Sequence, residues 1–214
     1  MSTTWSEVKE IIVDLYPAII QSKFINPDSG ELGSYARLAN NMIANYPHRF
    51  KFTKDTHSLT LTGATSYNLK TLIPGLSKVY QIMGINDNTD EVELPEYEGS
   101  ISSASNFYLR NGVLYFTGNN PTSGTATIVY KSKYLVYDKD DDSRKLNFED
   151  DDDYSAIPDE QIMTLISIIS LFIDWKEADK KFSLADIQVK ANQIIAENLV
   201  IPDGESLRQL RNFV

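Results

Sequence analysis

The period of the apolar residues changes twice along this chain of 214 residues, and the change limits the folds that it can adopt. Near the N-terminus the apolar residues recur at helical spacing, in the middle they alternate with polar residues, and from Ile162 the helical spacing returns. Helices at both ends with strands between them indicate segregated layers. We therefore expect an α+β fold, with a helical bundle base formed by both chain ends and interrupted by an antiparallel β-sandwich or barrel-like insertion.

Short-range signals place the first two helices. Thr4 and Glu7 form a capping-box pattern, in which a hydroxyl N-cap is followed by a glutamate three residues later. A stripe of apolar residues predicts the helix that follows: Trp5, Val8, Ile12, Leu15 and Ile19. Pro17 should end or kink this helix near Tyr16. Residues 26–34 have loop composition, and we expect a second helix after them that Pro47 closes.

Near the other end of the chain the helical pattern is more apolar. Residues 162–173 carry apolar side chains on both faces of the predicted helix, which indicates a central, buried helix. Ser183 is placed as the N-cap of a further helix.

The middle of the chain has strand patterns. Asn111 and Gly112 lie between two aromatic-rich runs, and this pair is favoured in the type I′ turn of a two-residue hairpin. We expect residues 66–73 and residues 125–137 each to contribute one continuous strand to an antiparallel sheet that is curled into a small sandwich or barrel. The predicted boundaries are 1–54 and 154–200 for the helical base, 55–137 for the β-rich insertion, 138–153 for an acidic loop and 201–214 for a C-terminal tail.

Composition excludes several functional classes. The chain has no cysteine, so it has no disulfide framework and no thiolate chemistry. Its net charge of −10 disfavours general affinity for nucleic-acid phosphates. The longest apolar run, residues 162–175, is too short and too polar to span a bilayer, and no signal-peptide pattern is visible. We expect a protein made in the cytoplasm that has no membrane partner.

Most of the acidity lies in the segment from Asp138 to Asp153, which has nine carboxylates, three basic groups and a net charge of −6. Asp138, Asp140, Asp142 and Glu149 match positions one, three, five and twelve of a calcium loop. The sixth position is Ser143 in place of glycine, and a strand precedes the loop where an EF-hand has a helix. The preferred interpretation is therefore a solvated charge run, with an electrostatic role in assembly as the alternative.

No sequence pattern predicts an active site. The P-loop, the dinucleotide-binding glycine motif and the nucleophile elbow are all missing from the sequence. His48 and His57 have no carboxylate at ligand spacing, and Glu91, Glu93, Glu96 and Glu98 have the composition of a solvated loop or edge strand. The sequence thus predicts a protein that is not an enzyme, with no catalytic residue, cofactor or metal ligand.

Tyrosines are concentrated in the predicted sheet: Tyr108, Tyr115, Tyr130, Tyr134 and Tyr137. Such residues can form a stacking platform for sugars or bases. They are also ordinary strand residues that pair across a sheet, and we favour packing.

The order of these elements resembles the head–tail adaptor, or connector, proteins of tailed bacteriophages. The likeness rests on the opening "TTWSEVKEII", the run "LGSYARLANNMIANYPHRFKF", the hairpin segment "NGVLYFTGNNPTSGTATIVYK" and the start "IPDEQ" of the apolar helix. The resemblance implies a structural virion protein with no catalytic residues. It implies a homo-oligomeric ring, commonly of twelve copies, at the head–tail junction of the virion. Its partners would be the portal protein and a tail tube or nozzle protein, with DNA passing through the ring without sequence-specific binding.

Two surfaces are candidates for this role. In the C-terminal tail, Leu207, Leu210 and Phe213 fall at helical spacing, with Arg208 and Arg211 on the other side, and we expect this face to dock on the portal or on an adjacent subunit. The second surface is an acidic lining of the lumen or of a subunit seam, formed by Asp140, Asp141, Asp142, Asp150, Asp151, Asp152 and Asp153. A negative lumen would repel the DNA backbone and let it slide.

Two other classes compete with the adaptor. A tail-associated carbohydrate-binding module would use the tyrosine-rich sheet. A metal-dependent hydrolase would use the aspartates and would lose activity when Asp138 or Asp142 is replaced.

Overall fold

The computed structural model describes residues 2–17, 30–48, 50–83, 92–93, 107–116, 124–177 and 183–199. These residues form a mixed α+β structure with five α-helices and three small antiparallel sheets. The chain divides into two compact units. The first comprises Met1–Phe50 and Leu135–Val214, and the second comprises Lys51–Tyr134. The expected α+β class is confirmed.

Four of the described helices belong to the first unit, and the fifth is a single turn in the second. Their bounds are α1 Trp5–Leu15, α2 Gly30–Asn45, α3 Leu69–Leu72, α4 Ile162–Glu177 and α5 Leu184–Asn198. The Thr4–Glu7 capping box is present, and α1 has its C-cap at Tyr16, as predicted. Helix α2 begins at Gly30, so the loop predicted to reach residue 34 is too long.

The core of the first unit is built around α4. This helix contacts α1, α2 and α5, which confirms its predicted central place. Phe172 is almost fully buried, and its ring stacks on that of Tyr35 from α2 with the ring centroids 5.6 Å apart. Within the described residues, none of the helices combines the length and the apolar character needed to cross a membrane.

The strands form three separate sheets. Their bounds are β1 Lys54–Thr60, β2 Ser66–Asn68, β3 Leu76–Met83, β4 Val92–Glu93, β5 Phe107–Arg110, β6 Val113–Phe116, β7 Thr125–Ser132, β8 Val136–Tyr137, β9 Arg144–Lys145 and β10 Tyr154–Ser155. The second unit holds sheets with the orders β1-β7-β3-β4 and β2-β6-β5, and the first unit holds β10-β8-β9. All strand pairs are antiparallel. Among the described strands, no sheet closes into a barrel.

The hairpin between β5 and β6 follows the prediction. Asn111 and Gly112 have φ angles of 52° and 77°, and these left-handed conformations are the ones a type I′ turn requires. Tyr108 lies opposite Tyr115 in the register of the two strands.

Two strand predictions are wrong. Residues 69–72, expected to continue a strand, form the helical turn α3, in which Leu69 is fully buried. Residues 125–137 are split into β7 and β8, which belong to different sheets. The Ser132 hydroxyl accepts a hydrogen bond from the backbone N–H of Tyr134 at 3.0 Å, which stabilises a turn where the strand was expected to continue.

The core of the second unit includes residues from both of its sheets. Leu59 and Ile82 come from the four-stranded sheet, and Tyr67 and Leu114 come from the three-stranded one. Burying these side chains stabilises the unit by roughly 25 cal/mol for each Å² of apolar surface that is removed from water.

Candidate interaction surface

The acidic segment, residues 138–153, has a defined local structure. It contains β9, which pairs with β8 in the register Val136↔Lys145 and Tyr137↔Arg144. The intervening turn is closed by aspartate side chains, because Asp138 accepts a hydrogen bond from the N–H of Asp140 and Asp141 accepts one from the N–H of Ser143, each at 2.8 Å. Aspartate is favoured in such turns for this reason.

The seven aspartates expected to form one acidic surface divide into two groups. Six of them are exposed: Asp140, Asp141, Asp142, Asp150, Asp151 and Asp152. Asp153 has no exposed surface, so it does not present its charge to solvent as the other six do. We refer to these six residues as the acidic surface.

Lys145 holds the acidic segment together. Its ammonium nitrogen lies 2.8 Å from Oδ2 of Asp153, 3.0 Å from Oδ2 of Asp138 and 3.7 Å from Oε2 of Glu149. The backbone N–H groups of Glu149 and Asp150 also donate to Oδ2 of Asp153, at 2.7 and 2.8 Å. Three donors therefore compensate the charge of the Asp153 carboxylate, which is buried away from solvent.

The pKa shifts follow from these contacts. Burial alone would raise the pKa of Asp153, but the N–H of Asp150, the Lys145 ammonium and the N–H of Glu149 outweigh burial and lower it. Burial alone would lower the pKa of Lys145, but the carboxylates of Asp153 and Asp138 outweigh burial and raise it. Both groups are charged throughout the physiological range.

The end of the acidic segment is bonded to the start of α1. The N–H groups of Trp5 and Ser6 donate to the carbonyl oxygens of Asp153 and Asp151, at 2.7 and 2.9 Å. These are first-turn donors with no acceptor inside their own helix. The Trp5 ring stacks on that of Phe148 with the ring centroids 4.8 Å apart. The acidic segment therefore supplies acceptors and an aromatic contact to the N-terminus of α1.

The calcium-loop residues do not converge on one point. The carboxylates of Asp138 and Glu149 face the ammonium of Lys145, whereas Asp142 accepts a hydrogen bond from the hydroxyl of Tyr154. Among the residues that the structure describes, no group of three or more histidine, aspartate or glutamate side chains is placed to hold a metal ion.

The other predicted candidates lie apart from this region or outside the described residues. His48 contacts the ring of Phe50, and His57 lies on β1 opposite Ile128. The tail residues Leu207, Arg208, Leu210, Arg211 and Phe213 lie outside the described residues.

The predicted glutamates also fall largely outside. Glu91, Glu96 and Glu98 are not described, and Glu93 is described only as part of β4.

The tyrosines pack against one another. The rings of Tyr108 and Tyr115 stack with centroids 5.0 Å apart and an interplanar angle of 12°, and both side chains are half-buried. Tyr130 is buried and donates its hydroxyl hydrogen to Asp55 at 3.1 Å. Tyr137 stacks on Tyr154 in the sheet of the first unit.

A groove also opens beside α1, with a volume of about 420 Å³. Carboxylates line it, namely those of Glu7, Glu10, Asp14 and Asp159, and its apolar lining comes from Ile11 and Ile162. We refer to these six residues as the acidic groove.

Sequence reasoning missed both Lys145 and the acidic groove. The Lys145 side chain is only 14% exposed, and no local pattern marks it, because the segment is not a calcium loop. Glu7, Glu10 and Asp14 are spaced by three and four residues, so they share one side of a helix. That spacing was visible, but the neighbouring Asp159 and Ile162 were brought there only by folding.

A comparison with protein-family models gives no match to this chain, and a comparison with curated proteins gives none either.

Proposed function

We propose that this chain is a head–tail adaptor of a tailed bacteriophage, a structural virion protein that forms a ring between the portal and the tail. The supporting observation is the interrupted architecture. Residues from both sides of a β-rich unit form one helical unit. The resemblance in the sequence implies the same order, with a helical base interrupted by a β-rich insertion.

Within this proposal the two units have separate tasks. Helices α1, α2, α4 and α5 form the bundle that serves as the base of the ring. The two sheets of the second unit form a β-sandwich, since one buried cluster includes residues from both sheets. The insertion then contacts the portal or the tail tube or nozzle protein.

The acidic surface suits a channel through which DNA passes. Lys9 and Lys139 pair with Asp151 and Asp152, and the negative charge that remains on the six exposed aspartates repels phosphates, so DNA in the channel is not retained. The hydrogen bonds to α1 keep these charges on an ordered segment. If this surface faces outward in the assembly, the lumen role is wrong and the seam role remains.

The test is the mass of the particle in solution. Light scattering over a wide concentration range, with and without the partner portal protein, should show a large ring or a monomer that becomes a ring on the portal. Electron microscopy of that particle should show a central channel. A monomer that is indifferent to the portal would overturn the proposal.

A carbohydrate-binding module is the second candidate, and the half-buried stack of Tyr108 and Tyr115 is the observation that favours it. Their rings cover each other, which leaves less ring face for a sugar. Glycan titrations of the wild type and of Tyr108→Ala decide between the two. Saturable binding that is lost in the variant would favour the module.

A further inference from the structure

One side of α1 carries charge that the rest of the described chain leaves uncompensated. Glu7 is used by the capping box, where its carboxylate accepts from the backbone N–H of Thr4 at 2.8 Å. Asp159 accepts from the hydroxyl of Thr3 at 2.7 Å. Within the described part of the chain, the exposed Glu10 and Asp14 have neither a hydrogen-bond donor nor a cation beside them.

These free carboxylates lie beside apolar surface. Ile11 is half-buried between them along α1, and Ile162 lines the same groove from the first turn of α4. A fitting occupant therefore carries cations and apolar side chains together. Glu7 and Asp14 are seven residues apart, which is about 10 Å along a helix, so the occupant is an extended or helical segment rather than a single ion.

The chain itself contains a segment of this chemistry. After Leu199, the last described residue, fifteen more residues follow, and residues 206–214 carry two arginines and no acidic side chain. Arg208 and Arg211 are three residues apart, close to the four-residue spacing of Glu10 and Asp14. The apolar residues of this segment are Leu207, Leu210, Phe213 and Val214.

We propose that the acidic groove of one copy receives residues 206–214 of a neighbouring copy, with Arg208 and Arg211 paired to the carboxylates of α1. The choice of a second copy rests on the proposed ring, because a closed ring requires two different surfaces of the same chain to meet. A tail in a groove is such a contact. It makes the groove and the tail the two halves of the seam between subunits.

The chain has no cysteine, so a disulfide trap can report this contact without background. Asp14→Cys and Gln209→Cys are made as separate full-length variants and mixed under mild oxidation. The contact predicts covalent dimers that contain one of each variant. Ala185→Cys, on an exposed position of α5 outside the groove, is the matched control and should not be trapped with Gln209→Cys.

Placing Asp14→Cys and Gln209→Cys in the same chain tests whether the groove receives the tail of a neighbouring copy or the tail of its own chain. A seam between copies gives a ladder of linked multimers. A monomer closed on itself would show that the tail fills its own groove, and this result would overturn the proposal. Absence of any dimer in the mixture, with and without the portal, would overturn it as well.

Charge reversal tests the pairing. Glu10→Lys with Asp14→Lys, and separately Arg208→Glu with Arg211→Glu, should each weaken self-association about tenfold, because two exposed ion pairs are lost. Combining all four reversals in one chain should restore the association. All four sites are on exposed or terminal positions, and unchanged tryptophan fluorescence checks that each variant is folded.

The outcomes separate this inference from the adaptor proposal. If the wild type forms a ring and both reversals leave its mass unchanged, the groove–tail seam is wrong and the adaptor proposal stands. If the tail reversal abolishes binding to the portal while the groove reversal does not affect any contact, the tail docks on the portal and the seam is wrong. If trapping succeeds but no ring forms on the portal, the contact stands and the adaptor function fails.

Discussion

Replacing Lys145 with methionine is expected to lower the free energy of unfolding of the first unit by about 3 kcal/mol, the low end for removing one partner of a buried ion pair. Asp153 has 0% exposure, so its carboxylate would lose an ammonium 2.8 Å away and gain no water in exchange. The low end applies because the N–H groups of Glu149 and Asp150 still hold the carboxylate. Methionine keeps a long apolar side chain, so the loss comes from the charge.

The matched control is Lys139→Met. Lys139 lies 3.7 Å from Asp152, and the two side chains are 35% and 76% exposed. A surface pair of this kind contributes about 0–1 kcal/mol. The two variants therefore carry the same substitution at two lysines of the acidic segment, whose ion pairs differ in burial.

Urea denaturation followed by tryptophan fluorescence measures the effect. Both tryptophans, Trp5 and Trp175, belong to the first unit, so the signal reports that unit and not the β-rich one. Adding Asp153→Asn to Lys145→Met should cost less than the sum of the two single losses, because the unpaired charge is removed. Equal losses for Lys145→Met and Lys139→Met would refute the reasoning.

Three further predictions concern the pH dependence of the Asp153 and Tyr154 contacts and the space around two glycines. The pKa of Asp153 is lowered in the folded chain, so its carboxylate stabilises the fold above the ordinary pKa of 3.8, and this stabilisation is lost as the pH falls further. The urea midpoint should therefore depend less on pH in Asp153→Asn than in the wild type across the acid range. The hydrogen bond to Asp142 raises the pKa of Tyr154 to about 12, so the stability that this bond gives to the fold is lost as the pH rises above 10. A spectrophotometric titration of Asp142→Asn should therefore show one tyrosine that ionises at lower pH than in the wild type. Gly75 has a φ of +75°, and a Cβ there would lie 2.7 Å from the ring of Tyr134. Gly75→Ala should therefore lower the free energy of unfolding of the β-rich unit by about 1–3 kcal/mol, as measured by hydrogen exchange. Gly33→Ala, within α2 and with open space, should instead gain about 0.5 kcal/mol; a loss at Gly33, or none at Gly75, would contradict this.

The acidic segment acts in the first unit as more than a source of charge. Its inward lysine neutralises a buried carboxylate, its carbonyl groups cap α1, and its outward aspartates remain exposed. The segment that gives the chain most of its acidity is thus also bonded into the helical unit. Any role in assembly acts through charges held in place by these contacts.

Elements defined by short-range chemistry could be predicted. The capping box of α1 depends on Thr4 and Glu7, and the hairpin turn depends on the adjacent Asn111 and Gly112. Each needs only a few neighbouring residues, so the pattern in the sequence is sufficient. Helix α4 was predicted as well, since its apolar period extends over more than ten residues.

Short apolar runs could not be assigned from the sequence. Residues 69–72 are too few to distinguish a strand from a helical turn by period. The strand expected over residues 125–137 has a continuous pattern, yet it divides at Ser132 because the following residues pair with β9 and β10 in the other unit. The local sequence pattern does not indicate which distant strand a residue will pair with.

The sequence by itself determined the α+β class, the helix caps, the hairpin turn and the concentration of charge between residues 138 and 153. Only the tertiary structure decided which of those charges are exposed, which one is buried against Lys145, and which acids meet beside Ile162 to form a groove. The physical reason is separation along the chain. Lys9 and Asp151, for example, form an ion pair across 142 positions, and such a contact exists only when the rest of the fold brings its two partners together.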